Sequence, residues 1–147
     1  MSFLLSYLLV VFAGISFATQ QILNTTLKTH VGSPWWAGFV SYLGGTMVML
    51  VVALLTSPIS RLTDASGHAP WFTWLGGLFG AIYIAICILM VPKLGTATTI
   101  ALMVVGQMVG ALAFDHFGLL GLMQRPLTLS HLAGAGFLVL GVVLIRA

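Results

Sequence analysis

The fold is decided by the stretch Trp71–Val91, which reads WFTWLGGLFGAIYIAICILMV and contains no charged residue. About 20 helical residues, each rising ~1.5 Å, cross the ~30 Å hydrocarbon core of a bilayer. The stretch is apolar on every face and lacks the period-2 alternation of a membrane β-strand. We therefore expect residues 71–91 to form a transmembrane α-helix.

Four more stretches have the same character, and composition extends the conclusion to the whole chain. Hydrophobic residues make up 60% of the 147 residues and charged residues 5%, whereas a soluble domain has about 25% charged residues. Too few charges remain to coat a soluble surface. The sequence predicts an all-α integral membrane protein, one membrane domain with short loops, whose spans cover residues 3–27, 35–56, 71–91, 96–114 and 129–145. Apolar residues resume after Asp115-His116, so a continuation of the fourth helix to Met123 stays open.

Proline and tryptophan mark the expected boundaries. Proline does least harm outside a helix interior, and tryptophan favours the membrane–water interface. The indoles open the second and third predicted spans, which start at opposite interfaces. All prolines fall between the predicted spans, at Pro34, Pro58, Pro70, Pro92 and Pro126, and the tryptophans are Trp35, Trp36, Trp71 and Trp74.

The distribution of basic residues provides almost no topology signal for the orientation of the chain in the membrane. Five spans place Arg61 and Arg125 on one side of the membrane, and Lys28, Lys93 and Arg146 on the other. An excess of Lys and Arg on the cytoplasmic side normally sets orientation. We expect insertion in both orientations, or pairing with an oppositely oriented relative, to give an antiparallel dimer; the alternative is one orientation fixed by other features. The basic residues form no run, so nucleic acid is not an expected partner.

Small residues at four-residue spacing predict close helix packing, because helices in lipid associate through tight backbone approach. This pattern indicates a compact bundle and no particular activity. The predicted packing positions are Gly45, Gly76, Gly80, Gly106 and Gly110, with Ala37 two turns and Ser41 one turn before Gly45 on the second span.

Polar side chains within the spans are the candidates for function. Gln20, Gln21 and Asn24 lie late in the first span, and Gln107 lies in the middle of the fourth. An unpaired amide in hydrocarbon costs a few kcal/mol, so each amide either forms an interhelical hydrogen bond or lines a water-filled cavity. Tyr83 is a weaker candidate for an aromatic wall of such a cavity.

Asp115 is the acidic residue expected at membrane depth, and a carboxylate at a helix C-terminus opposes the helix dipole. It is expected to need a partner: His116, Arg125 or a basic residue of a second subunit. Two interpretations stay open, an interfacial helix end in contact with water and a proton or cation site.

The sequence offers little for catalysis. The histidines are expected at loops or helix ends, and neither a nucleophile triad nor a phosphate-binding glycine loop is recognisable. The single cysteine, Cys87, suits packing. We expect no enzyme activity, no metal and no cofactor; the histidines are His30, His68, His116 and His131.

The chain resembles the YdcZ family of the drug/metabolite transporter (DMT) superfamily along nearly its whole length. The resemblance rests on QILN at 21–24, WLGGLFGA at 74–81, VPKLGTA at 91–97, Gly106-Gln107, and DHFG at 115–118. It implies a five-helix half of an EamA-like ten-helix inverted-repeat transporter, placed in the bacterial inner membrane and exporting small molecules. Its ten-helix relatives look like two such halves fused in inverted topology, with the substrate path between them.

Carried onto this chain, the polar positions that match the family are Gln21, Asn24, Gln107 and Asp115, and helical spacing adds Gln20. We expect the amides to hydrogen-bond the substrate, and Asp115, together with His116, to bind a cation or help gate one end of the path. Small multidrug resistance proteins keep a glutamate in their first helix, and this chain has none there. We expect a transporter working by alternating access, as an antiparallel homodimer or a heterodimer with a paralogous half. A passive channel and a non-catalytic membrane subunit of a larger complex are the alternatives.

Overall fold

The structure, a computed structural model, describes residues 3–66 and 69–146. Within those ranges the chain is helical and connected by short turns. The helices are α1 (Phe3–Val31), α2 (Pro34–Thr56), α3 (Ser60–Ser66), α4 (Gly76–Leu94), α5 (Thr96–Phe117) and α6 (Leu129–Arg146), with 3₁₀ turns at Trp71–Leu75 and Leu119–Gly121.

Five of the described helical segments are long and apolar enough to cross a membrane, which confirms the predicted number of spans. They are α1, α2, α5, α6 and the continuous segment Trp71–Leu94, formed by the first 3₁₀ turn and α4. The seven-residue α3 is too short to span and lies in the connection between the second and third crossings. The protein is a five-span membrane protein of the all-α class.

Two predicted helix ends were too early. α1 continues past residue 27 to Val31, so Lys28 belongs to its last turn, and α5 continues past residue 114 to Phe117. Gly118 ends α5 in the left-handed conformation (φ +61°), and its N–H bonds to the carbonyl of Phe114. This glycine cap turns the chain out of the helix, so the alternative of a helix running to Met123 was wrong.

The placement of Pro92 between spans was also wrong, because Pro92 lies inside α4. Proline has no N–H, so Pro92 removes a single hydrogen bond and the helix continues for two further residues. Gly95 then separates α4 from α5 with a φ of +83°. Pro34, in contrast, occupies the first turn of α2, where its missing N–H costs nothing.

The pattern of burial is that of a protein solvated by lipid. Most large apolar side chains are exposed, and the buried core is small. The described chain divides into two compact units, one ending at Pro92 and the other beginning at Lys93. In the first, Ala37 of α2 packs against Ile84 and Ile88 of α4, with Leu27 and Tyr42 beside them.

The second unit is an α5–α6 pair. The two helices pack along much of their length and enclose a small cavity of about 220 Å³. Apolar side chains from both helices line it, together with Thr98 and Arg146.

Glycine permits one close helix contact in the first unit. A Cβ atom added at Gly80 of α4 would collide with the hydroxyl of Tyr42 on α2. At Gly45, Gly76, Gly106 and Gly110 no described atom lies within 4 Å of such a Cβ. The packing role predicted for those four positions stays a prediction about neighbours outside the described chain.

Candidate functional site

A buried polar stripe runs along α1. Gln21 is 0% exposed and Asn24 is 4% exposed, although both belong to a membrane span. Neither amide atom of Gln21 has a hydrogen-bond partner among the described residues, and the same holds for Nδ2 of Asn24 and Oγ1 of Thr25. A buried donor or acceptor without a partner costs about 1–3 kcal/mol, so these unpaired atoms lower the free energy of unfolding of the protein in this conformation. Buried polar groups of this kind in a native structure need an explanation.

The neighbouring amide is arranged differently. Gln20 is partly buried, and its Nε2 donates to Oγ of Ser41 on α2 at 3.4 Å. The two consecutive glutamines therefore differ in environment, one bonded across helices and the other buried without a partner. Gln20, which helical spacing added to the candidate residues, lines one open groove of about 460 Å³ together with Asn24 and Ser41.

A larger groove joins Gln20 to the predicted aromatic wall. It measures about 760 Å³, opens on one side, and includes Tyr42, Thr46 and Tyr83 among its lining residues. The ring of Tyr83 lies 5.1 Å from that of Phe17, centroid to centroid. The structure thus brings Gln20 and Tyr83 to one surface whose walls are apolar but carry amide and hydroxyl groups. No charged side chain lines this groove in the part of the molecule that the structure describes.

Tyr42, which sequence reasoning missed, separates this groove from a second one. Tyr42 and Ile84 line both, and the second groove, of about 430 Å³, runs toward Pro34 and Trp35 at the start of α2. The phenol approaches α4 closely because Gly80 has no side chain. The only sequence signal was the four-residue spacing of Gly76 and Gly80.

Lys28 makes a polar contact between α1 and α4 that sequence reasoning missed. Its Nζ donates to the backbone carbonyl of Ile88 on α4 at 3.5 Å, in a partly buried setting. That carbonyl lies four residues before Pro92 and so lacks the N–H that a helix normally supplies to it. The signal was available in the sequence: Lys28 follows Asn24 by one helical turn, and Pro92 follows Ile88 by four residues.

The remaining predicted site residues belong to the second unit. Gln107 is exposed on α5, and Asp115 and His116 are partly buried in its last turn. The backbone N–H of Arg125 donates to the backbone carbonyl of Asp115 at 2.7 Å. The predicted Asp115–Arg125 neighbourhood therefore exists through the main chain, and the Asp115 carboxylate makes no ion pair with any residue in the described ranges.

The described histidines bond to the backbone near helix ends. His30 donates through Nδ1 to a carbonyl one turn earlier, at 2.8 Å. His116 and His131 accept backbone N–H groups at 3.4 Å. No cluster of three or more potential metal ligands occurs among the described residues, and His68 lies outside them.

The fold and the site together define a class: a multi-spanning α-helical membrane protein with polar side chains buried at membrane depth. Comparison with known proteins names the family. The family described as "Putative inner membrane exporter, YdcZ" matches residues 5–144, and the chain belongs to this family of the DMT superfamily. The chain is 26% identical over 133 residues to the inner membrane protein YdcZ of Escherichia coli (strain K12), covering 90% of this chain and 89% of that protein. No solved structure matches this chain.

Membership settles the broad description. The protein is a multi-pass inner membrane protein and a membrane transporter, its family is one of exporters and not an enzyme class, and its surroundings are the lipid bilayer.

Proposed function

We propose that this chain is one half of a small-molecule exporter that works by alternating access as an antiparallel dimer, either with itself or with a paralogous half. The proposal rests on one observation: Gln21 is fully buried within a membrane span, and neither of its amide atoms has a hydrogen-bond partner among the described residues. Local rules of folding are broken most often where function requires it. An amide that lacks a partner in the protein is suited to bind one supplied by the substrate.

Roles for the other polar residues follow from their positions. Asn24, one turn from Gln21 and lining a groove, would hydrogen-bond the substrate, as would Gln20 and Gln107. Tyr83 would supply an aromatic wall in the larger groove. Asp115, with His116 beside it, would bind a cation or gate one end of the path.

The dimer is supported by the open faces of the chain. Polar side chains within membranes face a bundle interior or a water-filled cavity and avoid lipid. Gln20, Ser41 and Thr46 nevertheless line a groove that is open on one side. A second copy or a paralogous half covering this face would enclose them, and an antiparallel arrangement agrees with the balanced distribution of basic residues.

Transport is tested in two steps, because the substrate must be found first. A ligand that binds only the folded protein raises its stability, by about 2.7 kcal/mol at a hundredfold excess over Kd, so a thermal-stability screen of the purified protein identifies compounds. Counterflow of a labelled hit into proteoliposomes loaded with the unlabelled compound then tests carrier action. A passive channel gives no uphill accumulation, and a subunit of a larger complex gives no flux by itself.

Two variants connect the site to transport. We expect Asn24→Leu and Gln107→Leu each to abolish counterflow while the purified protein keeps its oligomeric mass. Thr29→Val is the matched control, since the Thr29 hydroxyl bonds to a carbonyl of its own helix and is exposed. Full activity of both leucine variants would return these amides to a structural role.

The antiparallel arrangement has its own test. Reporters of compartment, fused in turn to each terminus, are expected to show both orientations in one cell population, or opposite orientations for this chain and a paralogue. One strong orientation for this chain, with no oppositely oriented partner, would exclude the antiparallel dimer and leave the transporter assignment intact.

A further inference from the structure

Lys28 is positioned by a gap in the hydrogen bonding of α4. In an α-helix the carbonyl of Ile88 would accept the N–H of residue 92, but residue 92 is proline and has none. The ammonium of Lys28 approaches this carbonyl from α1. A chain with so few charges therefore directs one of them toward a backbone acceptor that Pro92 has released.

The contact is a weak one. Its length of 3.5 Å exceeds the usual 2.7–3.2 Å of an N–H···O hydrogen bond. Lys28 also makes no ion pair with any residue in ranges 3–66 and 69–146, so its charge is not neutralised by the described chain. A partly buried ammonium in this state is available to a stronger acceptor.

The amide groups of Gln21 and Asn24 lie on the same face of α1 as Lys28. Gln21, Asn24 and Lys28 follow one another at spacings of three and four residues, which places their side chains along one stripe of a helix. The amide nitrogens of Gln21 and Asn24 have no partner among the described residues. The stripe therefore presents two amide NH2 groups and one ammonium as donors, with the side-chain oxygen of Gln21 as an acceptor that has no partner among the described residues.

A carboxylate matches this donor set. It accepts several hydrogen bonds, and charge-assisted bonds to an ammonium are stronger than bonds between neutral groups. A neutral amide or alcohol would satisfy the amides but would offer the ammonium an acceptor no stronger than the Ile88 carbonyl. An amine would place a second positive charge near Lys28.

We propose that Lys28, Asn24 and Gln21 bind the carboxylate of the transported substrate, so that the substrate class is a small organic anion. The Ile88 carbonyl holds the ammonium while the site is empty, and the ammonium moves to the carboxylate when substrate enters. This inference rests on the proposed export function and specifies its substrate class.

The experiment compares each carboxylate with its own primary amide. The full-length protein is purified in maltoside detergent, which carries no phosphate, and its thermal stability is measured with a panel of aliphatic, aromatic and dicarboxylic acids and the matching amides. We expect stabilisation by one or more carboxylates and none by the matching amides. Lys28→Met should raise the apparent Kd of that carboxylate at least tenfold, because it removes a charge-assisted hydrogen bond.

Two further variants guard against a change in folding. Lys28→Arg keeps the positive charge and should retain carboxylate-dependent stabilisation within a few fold. Lys93→Met removes a basic residue of the same type from the end of α4 and should leave the Kd unchanged.

Three results would overturn the inference. If amides stabilise as well as carboxylates do, and Asn24→Leu removes the effect, the transporter proposal stands and the anionic substrate is wrong. If phosphatidylglycerol alone gives a Lys28-dependent shift, the lysine binds a lipid headgroup. If no compound in the panel changes stability, the anion site fails, while counterflow with other hits still tests the transporter.

Discussion

Replacing Gln21 by methionine tests whether the buried amide is kept for function at the expense of stability. Methionine has nearly the length of glutamine and fills irregular space without a polar group. Gln21 is 0% exposed and both its amide atoms lack hydrogen-bond partners among the described residues, so the substitution removes two unpaired polar atoms while a side chain of similar size fills the same space. We expect the folded protein to become more stable and transport to fall.

The size of the gain follows from the cost of the unpaired atoms. A buried donor or acceptor without a partner costs about 1–3 kcal/mol relative to water. Within a bilayer the unfolded state, against which stability is measured, is also poorly hydrated. An interhelical hydrogen bond there therefore contributes on average only about 0.6 kcal/mol to stability. The expected gain is therefore about 1–2 kcal/mol, which corresponds to a rise in Tm of roughly 2–8 °C for a chain of this size.

Gln20 supplies a control of the same chemistry at the adjacent position. Its amide bonds to Ser41 at 3.4 Å, so Gln20→Met breaks an existing interhelical hydrogen bond and should lower stability by about 0.5 kcal/mol. Both variants are compared with the parent protein by thermal unfolding in one detergent and by counterflow of one ligand. Opposite signs of the two stability changes are the expected signature.

A clear loss of stability in Gln21→Met would refute the reasoning. It would mean that the amide is bonded in the folded protein, by water or by a second chain, and that its role is structural. Unchanged transport would separately remove Gln21 from the substrate site.

Two further predictions concern the first unit and are measured by thermal unfolding. Lys28→Met should destabilise the parent protein by about 0.5–1 kcal/mol. The effect should be smaller in a Pro92→Ala background, because residue 92 then supplies the missing N–H to the Ile88 carbonyl; equal effects in both backgrounds would show that the carbonyl contact contributes nothing to stability. Gly80→Ala forces the hydroxyl end of the Tyr42 side chain to move and should leave the protein about 0.5–1.5 kcal/mol less stable than Gly76→Ala, which meets open space; equal stabilities of the two variants would rule out the close contact.

The sequence predicted the spans because lipid imposes a simple rule of length and apolarity. It failed at the helix ends, where that rule is weakest. The predicted span ended before Lys28, which is charged. A lysine in the last turn of a helix can nevertheless extend its aliphatic side chain so that the ammonium reaches a carbonyl on a neighbouring helix. Pro92 was assigned to a loop for its missing N–H, although a helix tolerates that loss near its end.

The candidate site was predictable in composition and not in geometry. Polar residues in an apolar chain are visible in any sequence, which is why Gln20, Gln21 and Asn24 were found. Which amide turns inward depends on how α1 rotates against its neighbours, and an apolar helix carries little amphipathic signal to set that rotation. The contrast between a bonded Gln20 and an unpaired Gln21 therefore required the structure.

The unpaired amide also bears on how an exporter avoids cycling without substrate. In alternating access, both the loaded and the empty protein must pass through a closed conformation. If closure leaves Gln21 unpaired only when the site is empty, the loaded form is favoured by about 1–2 kcal/mol, and each 1.4 kcal/mol is a factor of ten. Exchange of substrate for substrate should then outpace net efflux by roughly five- to thirtyfold in the parent protein. Gln21→Met lowers the penalty on the empty form, so the ratio of exchange to net efflux should fall toward one even as total transport declines. A ratio that stays unchanged in Gln21→Met would place the control of empty cycling elsewhere in the protein.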